Sequence, residues 1–273
     1  MKLICVLTVG SIDWNGNYDN DATDGTNVVV FDHELALSAE QSMTMKAITR
    51  HGALSLLAGS GINLLDNLES AILSHVVNST LSLVMDADSD NSGDGTFSVA
   101  ATKEIESSNA DITITAFDID LDGSLDAGTG KVSVHASGGA SVALGDADVG
   151  LRRTISAADA DMTLSNGELG RITSAHFTLG GPSSGSMIID GVTDTSSANV
   201  ATITLVAATA SSTVTFQTAD STFNKGIIVQ ANAGIAISAN VNTQATASSF
   251  DSGSGTKLTN LHLNHFFGYL LSR

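Results

Sequence analysis

The 273-residue sequence has very little cysteine, proline, aromatic residue or positive charge. Cys5 is the only cysteine, which excludes an internal disulfide and a cysteine-rich zinc site. Pro182 is the only proline, so the turns must be made by glycine, asparagine, aspartate and serine, which reach turn conformations readily. Aromatic residues make up only 4% of the chain, so the core must consist of Val, Ile, Leu, Ala and Met.

Basic residues are scarce as well: 11 Lys and Arg stand against 29 Asp and Glu, for a net charge of −18. Nucleic acids and anionic membranes are therefore excluded as partners, because both require clustered cations. The acids are unevenly placed, since residues 1–173 hold 25 of the 29. No apolar run reaches the roughly 18 residues of a transmembrane helix. The apolar run at residues 3–9 is short for a signal peptide.

What the sequence does contain is a recurring short pattern of an apolar residue, a small polar residue and another apolar residue. This period of two predicts strands with one buried face and one Ser- or Thr-bearing face. The predicted strands lie at residues 28–31, 35–37, 43–45, 54–56, 81–84, 97–99, 112–114, 119–121, 132–134, 142–144, 162–164, 177–179, 187–189, 203–205, 214–216, 227–229 and 235–237. So many short strands fit a solenoid better than a β-sandwich, whose strands are longer.

We therefore predict an all-β, right-handed parallel β-helix (β-solenoid) with irregular coils and one or two short helical insertions. Residues 62–77 fit either a helix or a strand plus a loop, while Ser165 and Glu168 have the spacing of a helix capping box. We expect one continuous solenoid over residues 1–257, with an acidic part at 1–173 and a near-neutral part, rich in Ser, Thr and Ala, at 174–257. The tail at 258–273 is atypical in composition and fits either a terminal cap or a truncation artefact in a longer repeat protein.

Four segments carry a family resemblance: residues 110–116 (ADITITA), 120–130 (DLDGSLDAGTG), 162–173 (MTLS, then ELGRIT) and 234–240 (GIAISAN). Their repeat style resembles that of filamentous-haemagglutinin-like large surface proteins over roughly residues 80–247. The resemblance implies an extracellular, β-helical protein with an adhesive or scaffolding role. It transfers no catalytic or binding residue. This chain departs from that family in being short and in showing neither a clear secretion domain nor a transporter β-domain.

Two acidic ladders are the candidate metal sites, with calcium as the expected ion. Alternating carboxylates that converge on one turn suit calcium, which prefers six to eight oxygen ligands. The first ladder is Asp118, Asp120, Asp122 and Asp126, and the second is Asp86, Asp88, Asp90 and Asp94. Neither ladder ends in the bidentate glutamate of a calcium loop, because Thr129 and Phe97 stand at that position. The alternative interpretation is a solvated acidic corner in each case.

Three functions remain open at this point. The first is a structural or adhesin-like, extracellular or cell-surface module without catalysis, with carbohydrate or neighbouring protein surfaces as partners and self-association through the solenoid ends. The second is a calcium-binding surface module stabilised at its Asp-rich turns. The third is a polysaccharide-acting β-helix enzyme, for which only Arg152 and Arg153 would supply basic groups in a groove. A cytoplasmic location is not excluded by the sequence.

Overall fold

The computed structural model describes residues 53–70, 82–146 and 160–253, with the shorter stretches 3–6, 12–14, 29–31, 35–39, 41–45, 48–50, 258–259 and 268–271. Within these residues the regular secondary structure is almost entirely β-strand, and the strands pair in parallel. The prediction of an all-β fold with parallel sheets is therefore confirmed. No helix in this part of the chain is long and apolar enough to cross a membrane.

The chain divides into two compact units, Met1–Val132 (unit 1) and Ser133–Arg273 (unit 2). The predicted single domain over residues 1–257 stays a prediction. Unit 1 contains β1 (Leu3–Val6), β2 (Ile12–Trp14), β3 (Val29–Phe31), β4 (Leu35–Ala39), β5 (Met43–Met45), β6 (Ile48–Arg50), β7 (Leu54–Ala58), β8 (Ile62–Leu64), β9 (Leu68–Ser70), β10 (Leu83–Asp86), β11 (Thr96–Val99), β12 (Glu104–Glu106), β13 (Ile112–Ala116), β14 (Asp118–Leu121) and β15 (Ser124–Asp126). The division falls within β16 (Lys131–Ala136).

In unit 1, successive strands enter three different sheets in turn, so that every third strand belongs to the same sheet. The strand orders are β1-β4-β7-β10-β13, β2-β5-β8-β11-β14 and β3-β6-β9-β12-β15. Register partners are separated by between 19 residues, as for Met43 and Ile62, and 37 residues, as for Leu68 and Ile105. The turns between strands therefore vary in length while the strands stay in register.

Strand β13 shows why these segments become strands. Ile112 and Ile114 are fully buried, whereas Thr113 and Thr115 between them lie partly exposed on the other face. Ile112 and Ile114 stand beside Leu83 and Met85 of β10, so the apolar residues of neighbouring strands stack in the interior. Burial of each such side chain stabilises the fold by about 1.5–3 kcal/mol. The alternation seen in the sequence is thus the alternation between core and surface.

The helical alternative for residues 62–77 is wrong where the structure describes the segment, since Ile62–Leu64 and Leu68–Ser70 are strands. Ile62 and Leu64 are both buried and two residues apart, which is the period of a strand. β8 also has a parallel partner on each side, β5 and β11, which satisfies its backbone groups. Residues 71–77 lie outside the described residues.

Unit 2 has two long sheets and a third, two-stranded one. Its strands after β16 are β17 (Val142–Leu144), β18 (Met162–Leu164), β19 (Ile172–Thr173), β20 (His176–Gly181), β21 (Met187–Ile189), β22 (Ile203–Ala207), β23 (Val214–Phe216), β24 (Ser221–Phe223), β25 (Ile227–Ala231), β26 (Ile235–Ile237), β27 (Val241–Thr243), β28 (Ser248–Asp251), β29 (Leu258–Thr259) and β30 (Gly268–Leu271). The orders are β20-β22-β25-β28-β30, β18-β17-β21-β23-β26-β29 and β24-β27. Two segments of the tail are strands of this unit, because β29 pairs with β26 and β30 pairs with β28.

One helix interrupts the described strands of unit 2, α1 (Asn166–Leu169). The Ser165 side chain accepts a hydrogen bond from the backbone N–H of Glu168, and the Glu168 carboxylate accepts one from the backbone N–H of Ser165. This reciprocal pair satisfies two N–H groups that a helix start otherwise leaves free. The predicted capping box and short helical insertion are therefore confirmed, with Leu169 as the buried residue of the turn.

Candidate functional site

The second acidic ladder begins at the last residue of β10 and continues into the connection to β11. We call residues 86–94 the 86–94 loop. The loop is organised around one buried carboxylate. Asp88 is only 1% exposed, and its Oδ1 accepts hydrogen bonds from Ser92 Oγ and Gly93 N–H, both at 3.2 Å. Ser92 Oγ also lies 2.7 Å from Asp94 Oδ1. Asn91 and Gly93 have positive φ, which bends the chain back toward β11. The four carboxylates of this ladder are thus gathered in one loop.

Crowding in this loop changes the ionisation of its members. Burial raises the pKa of Asp86, the charges of Asp88 and Asp90 raise it further, and the backbone N–H of Asp88 opposes them. The pKa of the exposed Asp90 is lowered, because the side chain and backbone N–H of Ser92 hydrogen-bond to its carboxylate. Asp86 therefore holds its negative charge less favourably than a carboxylate in water does.

The first acidic ladder is more extended than the second. Asp118 and Asp120 point outward from β14, because Ile119 and Leu121 between and after them are buried. Asp122 is exposed in the turn after β14, and Asp126 lies on β15, where its Oδ1 accepts a hydrogen bond from the N–H of Gly128 at 2.7 Å. The carboxylates therefore follow the outer face of two strands, as the alternation of the sequence indicated.

The turn of this ladder contains Gly123 because a side chain at that position would collide with neighbouring backbone. A Cβ on Gly123 would lie 2.3 Å from the Lys103 carbonyl oxygen and 2.6 Å from that of Ala100. The turn of one layer therefore packs directly on the backbone of the layer before it. Position 123 needs glycine for this close approach, whether or not an ion binds nearby.

Within the part of the chain that the structure describes, no three His, Cys, Asp or Glu side chains are placed so that they could hold one metal ion. That finding covers both ladders. Calcium binding at Asp86, Asp88, Asp90, Asp94, Asp118, Asp120, Asp122 or Asp126 stays a prediction.

Sequence reasoning missed a second use of the polar corners, which is to hydrogen-bond neighbouring layers. Asp111 Oδ1 accepts from Lys131 N–H at 2.9 Å, and Asp220 Oδ1 accepts from Asn240 N–H at 2.9 Å. In both pairs the partners are 20 residues apart, and the same spacing joins Asp161 to Ser141. The donors in these three bonds are backbone N–H groups of Lys131, Asn240 and Ser141, so no shared residue type in the sequence could have revealed them.

In unit 2 such bonds join into a corner network next to α1. Asn166 Oδ1 accepts from Ser196 Oγ at 2.8 Å, and its Nδ2 donates to the Gly191 carbonyl at 2.9 Å. Asp194 Oδ1 accepts from Asn224 Nδ2 at 2.8 Å and from Gln244 Nε2 at 3.2 Å. Amides and hydroxyls at this corner are therefore largely occupied by the protein itself.

A groove opens on the outer face of unit 2 where three neighbouring strands end. Val206, Gln230 and Asp251 stand side by side on β22, β25 and β28. The groove has a volume of about 350 Å³, which is within the range of small-ligand sites. Its lining consists of Val206, Ala207, Ala208, Gln230, Ala231, Asn232, Asp251 and Gly253. Sequence analysis did not single out these residues, because only the strand register brings them together.

Comparison with known proteins found no match: no family model fits the chain, and no significant similarity was found to a curated protein or to a solved structure.

Proposed function

We propose that this chain is a structural, adhesin-like β-solenoid module of a cell surface or extracellular matrix, acting by binding rather than by catalysis. The observation that carries the proposal is the in-register parallel stacking of short strands in each unit, with polar outer faces. Such stacking presents a long, rigid surface on which weak contacts add up. The resemblance of residues 80–247 to filamentous-haemagglutinin-like repeats supports the same role.

The right-handed β-helix is the form of fold that this proposal assumes. Its support in unit 1 is the regular cycle through three sheets, β1-β2-β3 and onward, in which each strand lies beside the strand three positions earlier. Parallel strands in one sheet are joined by right-handed connections in about 98% of known cases. The corner bonds between residues 20 apart, such as Asp220 with Asn240, add further links between layers.

The enzymatic alternative has less to support it. A polysaccharide-acting enzyme needs a general acid and a general base in one cleft, with a further basic or carboxylate group beside them. Arg152 and Arg153, the basic pair on which that hypothesis depends, lie outside the described residues. In the described groove of unit 2, Asp251 is the only ionisable residue of the lining. Incubation with a polysaccharide panel and assay of new reducing ends separates the two functions, because the proposed module releases none.

The direct test is retention on surfaces. The purified chain, coupled to fluorescent beads, is passed over immobilised glycans, matrix proteins and the chain itself. We expect retention on at least one of these surfaces, and we expect it to depend on folded protein. The matched control is the Phe216→Ala variant, heated until its strand signal is lost. Equal passage of native chain and denatured control over every surface would refute the adhesive role.

A further inference from the structure

Two amide side chains in the groove of unit 2, those of Gln230 and Asn232, differ from the other amides of this unit in their hydrogen bonding. Asn166, Asn224 and Asn240 donate hydrogen bonds to other parts of the protein. The side chains of Gln230 and Asn232 form no hydrogen bond with any described residue, and both are exposed at the groove. Two free amides therefore face the same 350 Å³ volume.

The third polar group of the groove is the carboxylate of Asp251. Its Oδ1 accepts a hydrogen bond from the N–H of Gly253 at 3.1 Å, which fixes the side chain and leaves Oδ2 available to accept from a ligand. Gln230 and Asp251 are register partners on adjacent parallel strands, so their side chains lie roughly 4.8 Å apart along the sheet. Two amides and a carboxylate can together donate to, and accept from, several vicinal hydroxyl groups.

The base of the groove is closely packed backbone at the ends of β22 and β25. Ala207 and Ala231 are buried at the ends of their strands, and the Asn232 N–H donates to the Ala207 carbonyl at 2.9 Å. A Cβ on Gly253 would lie 2.5 Å from the Asn232 carbonyl oxygen, so glycine lets the two turns pack closely. The apolar side chains that border the groove from the outer side are those of Val206 and Ala208, and both are short enough to leave room above the backbone.

From this arrangement we infer that the groove binds a neutral saccharide, one or two pyranose units in length. The C–H face of a pyranose suits the outward-facing side chains of Val206 and Ala208, and its hydroxyls suit the amides of Gln230 and Asn232 and the carboxylate of Asp251. None of the described lining residues is basic, and Asp251 repels anions, so sulfated and acidic sugars are excluded. The inference deepens the adhesive function proposed above and rests on it.

The experiment follows the side-chain amide resonances of ¹⁵N-labelled protein. Methyl α-glucoside, methyl α-mannoside, methyl β-galactoside, lactose and maltose are titrated in separate samples, with glucose 6-sulfate as the anionic comparison. We expect at least one neutral sugar to shift the NH₂ signals of Gln230 and Asn232 with saturation, and the sulfate ester to leave them unchanged. Absence of a saturable shift with every neutral sugar overturns the inference.

Three variants locate the site. Asn232→Ala removes one free amide and should weaken binding about tenfold, the effect of losing one good hydrogen bond. Ala208→Phe fills the groove and should abolish binding. Ala201→Phe adds the same ring at an exposed turn outside the groove and should leave binding unchanged. The inference is overturned if Ala208→Phe binds the neutral sugar as tightly as the unmodified chain does. It is also overturned if sugar binding requires calcium.

The same variants distinguish failure of the groove from failure of the adhesive function. In the bead assay, retention that persists undiminished in Ala208→Phe means that adhesion uses another surface, which overturns the groove inference and leaves the proposed function standing. A neutral sugar that shifts the amides of a chain retained on no surface supports the groove and overturns adhesion.

Discussion

Two aspartates, one in each unit, respond to their surroundings in opposite ways. Asp86 in unit 1 lies half-buried among other carboxylates, and its pKa is raised by burial first and then by the charges of Asp88 and Asp90. Asp220 in unit 2 is exposed, and its pKa is lowered because the side chain and backbone N–H of Asn240 hydrogen-bond to it. The same residue type is thus unfavourable as an anion at one corner and favourable at the other.

The difference extends to the whole units. Unit 1 has 20 acidic and 5 basic residues, a net charge of −15, whereas unit 2 has 9 and 6, a net charge of −3. The corners of unit 2 are joined mainly by amides and hydroxyls, as around Asn166 and Asp194. We conclude that similar strand packing tolerates two kinds of corner. Because its charge density is higher, we expect the acidic kind to respond more strongly to salt than the neutral kind.

The largest expected effect on stability comes from substitutions in the two cores. These substitutions test whether the cores are equally well packed although the two units differ in charge. Phe97→Ala in unit 1 and Phe216→Ala in unit 2 each remove a fully buried ring, and each should cost about 3–5 kcal/mol of unfolding free energy. Phe216 also loses its contact with the Phe250 ring, whose centroid is 6.1 Å away. Urea unfolding with hydrogen exchange mapped along the chain measures the loss in each unit.

The control for this pair is Leu65→Ala, because Leu65 is 43% exposed and its truncation should cost little. If Phe97→Ala destabilised the protein no more than Leu65→Ala, the well-packed interior described for unit 1 would be wrong.

Corner hydrogen bonds should give the next largest effect. Asp88→Ala removes the acceptor of Ser92 Oγ and Gly93 N–H in unit 1, and Asn166→Ala removes the bonds to Ser196 and Gly191 in unit 2. Each should cost about 1–3 kcal/mol, because the Gly93 N–H and the Gly191 carbonyl lose the hydrogen bonds that they make to these side chains. Thermal unfolding compares them with Asn232→Ala, whose side chain has no such bonds and which should change stability by under about 0.5 kcal/mol. If Asp88→Ala were as stable as Asn232→Ala, the buried carboxylate would not organise its loop as described.

A smaller effect with opposite signs is expected from pH. A carboxyl with a raised pKa binds its proton more tightly in the folded state, so Asp86 opposes folding above its folded pKa and ceases to do so as pH falls below its ordinary value near 3.8. Asp86→Asn should therefore stabilise the protein at pH 7 and have little effect at pH values below that ordinary value. Asp220, with a lowered pKa, contributes stability at neutral pH that is lost as pH falls through its folded pKa. Asp220→Asn should destabilise at pH 7.

Melting temperatures of both variants and of the unmodified chain, measured from neutral pH down to about pH 3 in steps, provide the check. Two variants that shift stability in the same direction at pH 7 would show that the electrostatic contrast between the two corners is wrong.

The smallest effect concerns calcium. The calcium hypothesis predicts that millimolar calcium raises the melting temperature more than sodium chloride at the same ionic strength, because a bound ion stabilises only the folded state. Asp120→Ala or Asp122→Ala should reduce that excess, and Asp220→Asn in unit 2 should preserve it. Equal shifts with calcium and sodium would mean that the acidic corners are only screened.

Much of the fold could be predicted from alternation alone. The segments with two apolar residues around a small polar one, such as Ile112–Ala116 and Ile203–Ala207, are strands in the structure. Two of the strands that were not predicted carry a weaker pattern: Glu104–Glu106 and Ser124–Asp126 each have one apolar residue between two polar ones. Their pairing with each other and with Leu68 makes them strands, and that pairing joins residues up to 37 positions apart.

The candidate sites divide in the same way. Sequence spacing located both acidic ladders and placed the first on an outer strand face, because alternation along one strand is a local property. It could not reveal that Asp88 is buried while Asp122 is exposed, since a turn residue's burial depends on what packs against it. Nor could it reveal the groove, whose residues come from three strands and the turns after them.

By itself, then, the sequence determined the strand type, the apolar faces, the glycine- and aspartate-rich turns and the surplus of negative charge, because each depends on residues next to one another. Only the tertiary structure decided which strands are neighbours, which carboxylate is buried and where Gln230, Asn232 and Asp251 meet. Those outcomes depend on register between segments 20 or more residues apart, and register is fixed by the packing of many side chains at once.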